Sequence, residues 1–137
     1  MKKVTSIILV VLIVSLLTFQ GFAVSDRASE QIRSYTIDIT TKSDYIYLTV
    51  YVSGNGTMDK IGCETIDIYE KNGSRWDSYV DLDEDDDGMS SSNMYAYANT
   101  FEIPTTENVE YMVSVTIFAE NDDGRDTRSK TEYVTGR

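Results

Sequence analysis

The residues best suited to binding chemistry form an acidic run between positions 83 and 87. Asp83, Asp85 and Asp87 alternate and are followed by Gly88. This is the pattern of the first half of an EF-hand calcium loop, where side-chain oxygens at alternate positions surround the ion and glycine permits the sharp turn. The second half departs from the pattern, because Met94 stands where the bidentate glutamate belongs. The sequences on either side also have the alternation of strands, whereas helices flank an EF-hand loop.

A ligand from a neighbouring turn could replace the missing glutamate. In a sandwich with hairpin-like connections, the turns near residues 53–59, 83–93 and 121–126 are expected at the same end of the domain. That end would be strongly negative. The candidate calcium ligands are therefore Asp83, Asp85, Asp87, Asp123 and Asp126. A solvated acidic loop, or a surface for a basic partner, explains the same residues without an ion, so calcium is the only cofactor suggested and no cofactor is required.

A second candidate surface is aromatic. From residue 45 to residue 52, aliphatic residues occupy the even positions, and tyrosine or threonine the odd ones. If the aliphatic side chains face the core, the odd positions form a stripe on the outside of a sheet. Exposed tyrosines can stack on sugar rings or anchor a protein partner, although tyrosine is also a good strand former. The candidate ligand-binding residues are Tyr45, Tyr47 and Tyr51.

Catalysis is disfavoured by what the chain lacks. It contains no histidine, which excludes histidine-based triads and removes the commonest general base near neutral pH. The single cysteine, Cys63, has no histidine to activate it, suits packing in a strand, and allows no internal disulfide. Paired carboxylates could hydrolyse a glycosidic bond, but no apolar pocket that would raise the pKa of one of them is evident. We expect a protein that is not an enzyme, with a glycoside hydrolase as the last alternative.

The net charge restricts the partners. The 137-residue chain has a net charge of −11, to which Lys2 and Lys3 contribute +2, so the remainder carries −13. Such a surface repels nucleic acid and anionic lipid and favours cations and basic groups. We expect an extracellular protein or glycan as partner, and no nucleic acid.

The first 23 residues have the organisation of a secretory signal peptide. Lys2 and Lys3 precede an apolar run over residues 7–17, and Gly21-Phe22-Ala23 offers small residues for cleavage. The apolar run is shorter than the roughly 20 residues that span a bilayer, although an uncleaved anchor is the alternative. We expect secretion to the extracellular medium, with membrane contact only during export.

Runs of period two, separated by turn signals at intervals of roughly ten residues, predict an all-β antiparallel sandwich. The glycine-rich segment 53–57 is predicted to end one strand, and Asn72-Gly73 to form a hairpin turn. Residues 24–33 are a loose lead-in and residues 34–137 one domain. Seven strands are predicted, near residues 35–40, 45–52, 60–70, 75–82, 94–103, 111–117 and 127–135.

Several of these segments resemble known folds. Tyr111-x-Val113-x-Val115, followed by a polar turn and a last strand, resembles the late strands of immunoglobulin-like and fibronectin type III-like sandwiches, with Tyr111 as the corner tyrosine. The segments GTMDKIG (56–62), IYEKNG (68–73) and DTR (126–128) resemble small secreted sandwich proteins of Gram-positive bacteria that have no assigned function. Cys63 and the acidic loop depart from their pattern. The resemblance implies the sandwich fold and no particular activity. From the residues themselves we expect a secreted, non-catalytic module that binds a partner or contributes to an extracellular surface.

Overall fold

The computed structural model describes residues 30–137. The predicted signal peptide and most of the predicted lead-in lie outside the described residues. The strands are β1 (Ile32–Lys42), β2 (Tyr45–Asn72), β3 (Arg75–Asp83), β4 (Ser90–Pro104), β5 (Glu110–Asn121) and β6 (Gly124–Thr135). Within this range no helix is long and apolar enough to cross a membrane. The all-β, antiparallel prediction is confirmed, and β1 begins two residues before the predicted start of the domain.

The prediction of seven strands is wrong, because the second and third predicted strands are one continuous strand, β2. Ser53 of β2 pairs with Ala96 of β4, and Met58 pairs with Met94, so four residues of β2 stand opposite one residue of β4. Gly56 adopts φ +115° in this bulge, a conformation that glycine reaches without strain. A bulge bends a strand without ending it. The glycines therefore bend β2 where the sequence predicted a turn.

Strand β2 organises the whole sheet. Its first part pairs with β1 on one side and β4 on the other, and its last part pairs with β5 and β3. Residues 60–62 pair with both β4 and β5, so β3 and β4 follow one side of β2 and β1 and β5 the other. Strand β6 adds to β5. The sheet curls until β1 approaches β6, where Lys130 Nζ donates to the Ile37 carbonyl at 3.1 Å.

Both parts of the curled sheet contribute to one hydrophobic core. The even positions of β2 from Ile46 to Val52 are at most 1% exposed, as the alternation predicts. Ile66 and Ile68, from the other end of β2, pair with Val115 and Val113 of β5 in the same core. Burial of this apolar surface is the main stabilising contribution to the fold.

Cys63 is part of this core. It is free and has no exposed surface, and its Sγ lies 3.9 Å from the hydroxyl of buried Tyr97. Burial raises the pKa of the Cys63 thiol to about 11. The thiol therefore packs as a small apolar group and stays protonated at neutral pH.

Tyr111 fixes the corner that leads into β5. Its side chain is buried, and its hydroxyl oxygen accepts a hydrogen bond from the backbone N–H of Thr106 at 2.9 Å. This hydrogen bond ties the start of β5 to the segment that follows β4.

Replacing Tyr111 with phenylalanine should lower the free energy of unfolding by about 1–2 kcal/mol, because the Thr106 N–H loses its acceptor. Urea unfolding measures this change. The matched control is Tyr133→Phe, which alters an exposed ring and should change stability by less than about 0.5 kcal/mol. Equal effects of the two substitutions would show that the corner hydrogen bond is not stabilising.

Candidate functional site

The acidic loop between β3 and β4 is organised by its own carboxylates. Asp83 Oδ1 accepts a hydrogen bond from the Asp85 N–H at 2.9 Å, and Asp86 Oδ2 accepts one from the Asp83 N–H at 2.8 Å. At the end of the loop, the Tyr97 hydroxyl donates to the Gly88 carbonyl at 2.6 Å. Aspartates commonly stabilise turns in this way. The loop therefore has internal partners for two of its carboxylates.

Arg125, at the start of β6, is the main cation near this loop. Its guanidinium contacts Glu84 of the loop, Glu64 of β2 at 3.1 Å and Glu120 of β5 at 2.9 Å. It also lies 3.9 Å above the ring of buried Phe118. The hydrogen bond from Arg125 is the main cause that lowers the pKa of Glu84. Arg125 thus joins the acidic loop to both β2 and β6.

Lys60 supplies a second positive charge. Its Nζ lies 2.8 Å from Asp85 Oδ1 and 3.5 Å from Glu84 Oε1. The hydrogen bond to Asp85 is the main cause that raises the pKa of Lys60. The sequence reading missed both Lys60 and Arg125, because isolated basic residues in strands give no local signal of an ion pair.

The structure brings together the three turns that were predicted to share one end. Asp126 Oδ2 accepts a hydrogen bond from the Gln31 N–H at 2.8 Å, and the Gln31 carbonyl accepts one from Asn55 in the bulge of β2. In the turn before β6, the Asp123 N–H donates to Asn121 Oδ1 at 2.9 Å. Asp126 therefore anchors the start of β1.

Calcium binding at this end of the domain stays a prediction. Between residues 30 and 137, no three acidic or cysteine side chains form a group that could hold a metal ion. Asp83 and Asp85 would have to exchange their present partners for the ion. A calcium titration of the melting temperature tests the prediction directly, since a ligand that binds only the native state raises that temperature.

The three candidate tyrosines lie on the outer side of β2. Tyr45 and Tyr51 are 38% and 40% exposed, and Tyr47 is partly exposed. The rings of Tyr45 and Tyr47 have centroids 6.3 Å apart and are tilted by 50°. We call these three side chains and the exposed residues beside them the tyrosine face. The buried even positions of β2 hold its backbone in place beneath the rings.

Hydroxyl and acidic side chains surround the rings of the tyrosine face. On β1 and β4, the exposed residues paired with Tyr47, Thr49 and Tyr51 are two acids, three threonines and one alanine. Between Tyr47 and Tyr51 along β2, Thr49 Oγ1 lies 3.1 Å from Thr100 Oγ1. The paired residues are Thr36, Asp38 and Thr40 on β1, and Ala98, Thr100 and Glu102 on β4. Tyr47 and Tyr51 therefore have hydroxyl or acidic side chains on the paired strands, whereas Tyr45 pairs with Lys42 and Pro104.

A second aromatic cluster lies at the other end of the sheet. The rings of Trp76 on β3 and Tyr133 on β6 have centroids 5.7 Å apart, and Lys71 Nζ lies 5.4 Å from the centroid of the Trp76 ring. Sequence reasoning did not find this cluster, because its rings come from strands that are distant along the chain. Only the strand order β3-β2-β5-β6 brings them together.

No protein-family model matches this sequence, and a search of curated proteins finds no match.

Proposed function

We propose that this chain is a secreted, non-catalytic module that binds a neutral glycan through the tyrosine face. The observation that carries the proposal is the exposure of Tyr45, Tyr47 and Tyr51 along one strand whose intervening residues are buried or hydroxylated. A rigid row of rings loses little conformational entropy when it binds. Tyrosine offers sugar rings both an apolar face and a hydrogen-bonding tip.

A glycan suits this surface better than a protein. The centre of a protein interface is poor in charge and rich in apolar side chains, whereas the residues paired with Tyr45, Tyr47 and Tyr51 are mostly charged or hydroxylated. Sugar hydroxyls can hydrogen-bond with both kinds of group. The negative charge of the chain argues against an anionic polysaccharide.

The proposal includes the fold class and the site of action. The curled antiparallel sheet and the hydrogen bond of Tyr111 support an immunoglobulin-like or fibronectin type III-like sandwich. The amino-terminal sequence supports export by a signal peptide. The resemblance to small secreted proteins of Gram-positive bacteria supports a place outside such a cell.

Removing two rings tests the binding proposal. Combined Tyr47→Ala and Tyr51→Ala substitutions should weaken binding to a neutral polysaccharide by tenfold or more, since each stacked ring contributes about 1 kcal/mol. Affinity electrophoresis in gels that contain β-glucan, xylan or mannan measures the change, and a melting curve checks the fold.

Tyr35→Ala is the matched control, because this exposed tyrosine pairs with buried Val52 and so lies on the other face of the sheet. It should bind the polysaccharide as the unaltered protein does. Retained affinity in the double variant, or equal loss in the control, would contradict the proposal. Binding to an extracellular protein in place of every polysaccharide would contradict the choice of ligand.

A further inference from the structure

Strand β4 differs in charge from the other strands at the periphery of the sheet. Residues 90–101 contain no charged side chain, although 26% of the residues of the chain are charged. Strands β1, β3 and β6 each carry at least three charged residues. The neutral run is therefore a local feature of β4, whose charge only begins at Glu102.

The outer edge of β4 has no strand partner among residues 30–137, because β4 pairs only with β2. An open edge presents unpaired N–H and C=O groups to any other strand, and proteins usually protect it with charges, proline or a bulge. In β4, Pro104 stands only at the last position, the bulge between Ala96 and Met94 has its extra residues in β2 and not in β4, and Asn93 alone has a positive φ, of +55°. Met94 and Tyr95, near the middle of the neutral run, are 47% and 67% exposed.

We propose that β4 pairs antiparallel with β4 of a second copy of this chain, which gives a symmetric dimer with a continuous sheet. Antiparallel pairing of one strand with itself is self-complementary about a two-fold axis, as a closed dimer requires. Two copies of an acidic chain repel each other wherever charged surfaces meet. The neutral run brings no charge of its own to the contact. The repulsion that remains comes from neighbouring groups such as the acidic loop, which reaches β4 where Asn99 Nδ2 donates to the Gly88 carbonyl at 3.1 Å.

This dimer would make the protein bivalent. The two-fold axis between paired antiparallel strands is perpendicular to the sheet, so both tyrosine faces would lie on the same side of the joined sheet. Two linked sites bind a polymeric ligand more tightly than either site alone. The strand pairing itself is independent of the glycan proposal and can be tested without any ligand.

Sedimentation velocity over a concentration series, on protein purified after expression of the full chain, tests the dimer. We expect a reversible monomer–dimer equilibrium that shifts toward dimer as salt is added, because salt screens the repulsion between the copies. Tyr95→Glu should raise the dimer dissociation constant at least tenfold, whereas the uncharged control Tyr95→Gln should raise it much less. A monomer at every concentration, or equal effects of Glu and Gln, would overturn the proposal.

If Tyr95→Glu does not fold, hydrogen exchange of the β4 amides in the unaltered protein tests the same dimer. In the unaltered protein, the β4 amides that point away from β2 should be protected at high concentration and should exchange rapidly at low concentration. The amides of β3, which has a charged edge, should show no such dependence. Concentration-independent exchange throughout β4 would overturn the proposal.

Discussion

Replacing Gly62 with alanine is expected to lower the free energy of unfolding by about 3 kcal/mol, which is at the upper end for overpacking of a buried site. A Cβ at position 62 would overlap the carbonyl oxygen of Met89 and lie 2.6 Å from the Cα of Ser90. Both are backbone atoms, so no side-chain rotation relieves the clash. The Cys63 N–H also donates to the Met89 carbonyl at 2.7 Å, which holds this carbonyl close to β2.

Urea unfolding of Gly62→Ala and Gly73→Ala separates steric overlap from backbone strain. Gly73 has φ +64° in its turn, but a Cβ there would meet no atom within 4 Å. Gly73→Ala should therefore cost only about 1 kcal/mol for the left-handed backbone. If the two variants lose the same stability, the close approach of the acidic loop to β2 does not constrain position 62.

Replacing Arg125 with glutamine is expected to lower the free energy of unfolding by about 2 kcal/mol at neutral pH. Three carboxylates, from Glu64, Glu84 and Glu120, would then face one another without their shared cation. The side chains of Arg125 and the three glutamates are 26–40% exposed. The stability lost when the cation is removed should therefore lie between the value for a surface ion pair and the value for a buried one. The ring of Phe118 would also lose the guanidinium above it.

The stability lost in Arg125→Gln should become smaller at acidic pH, because of the lowered pKa of Glu84. Because Arg125 lowers the pKa of Glu84 below its ordinary value of 4.5, the ion pair stabilises the fold above about pH 4.5 and is lost as the pH falls through the lower, folded-state pKa. In the variant, protonation relieves the repulsion among the glutamates. The two proteins should therefore become closer in stability as the medium is acidified.

Urea unfolding at neutral pH and below pH 4.5 measures this convergence. Lys71→Gln is the matched control, because Lys71 pairs with Glu110 at 3.0 Å but both groups are more than 40% exposed. It should cost less than about 1 kcal/mol at either pH. A constant difference between Arg125→Gln and the unaltered protein across this pH range would contradict the role given to the glutamate cluster.

Local alternation was enough to predict most of the sheet. The period-two pattern of residues 45–52 identifies which side chains of β2 are buried, because neighbouring residues of a strand point to opposite faces. The glycine-rich segment after it could not be interpreted from sequence alone. The same glycines suit a turn or a bulge, and the pairing of β2 with β4 makes them a bulge.

The surroundings of the acidic loop were less predictable. The run from Asp83 to Asp87 is evident in the sequence, but Lys60 and Arg125 reach it only because β2 and β6 pass beside the loop. The sequence also cannot distinguish an aspartate that binds an ion from one that accepts a hydrogen bond from a backbone N–H. Asp126 is of the second kind, because it accepts the Gln31 N–H. The sequence therefore identified the acidic loop, but not Lys60 and Arg125 as the cations that pair with it.

Nitration of tyrosines with tetranitromethane, followed by peptide mass spectrometry, tests the proposed binding surface most directly. Reaction with and without a bound neutral polysaccharide compares the three tyrosines of the tyrosine face with exposed tyrosines elsewhere on the domain in one experiment. The proposal predicts that the glycan protects Tyr45, Tyr47 and Tyr51 and leaves the reaction of Tyr35 and Tyr133 unchanged. Protection of Tyr133 instead, or equal nitration of all five with and without the polysaccharide, would contradict it.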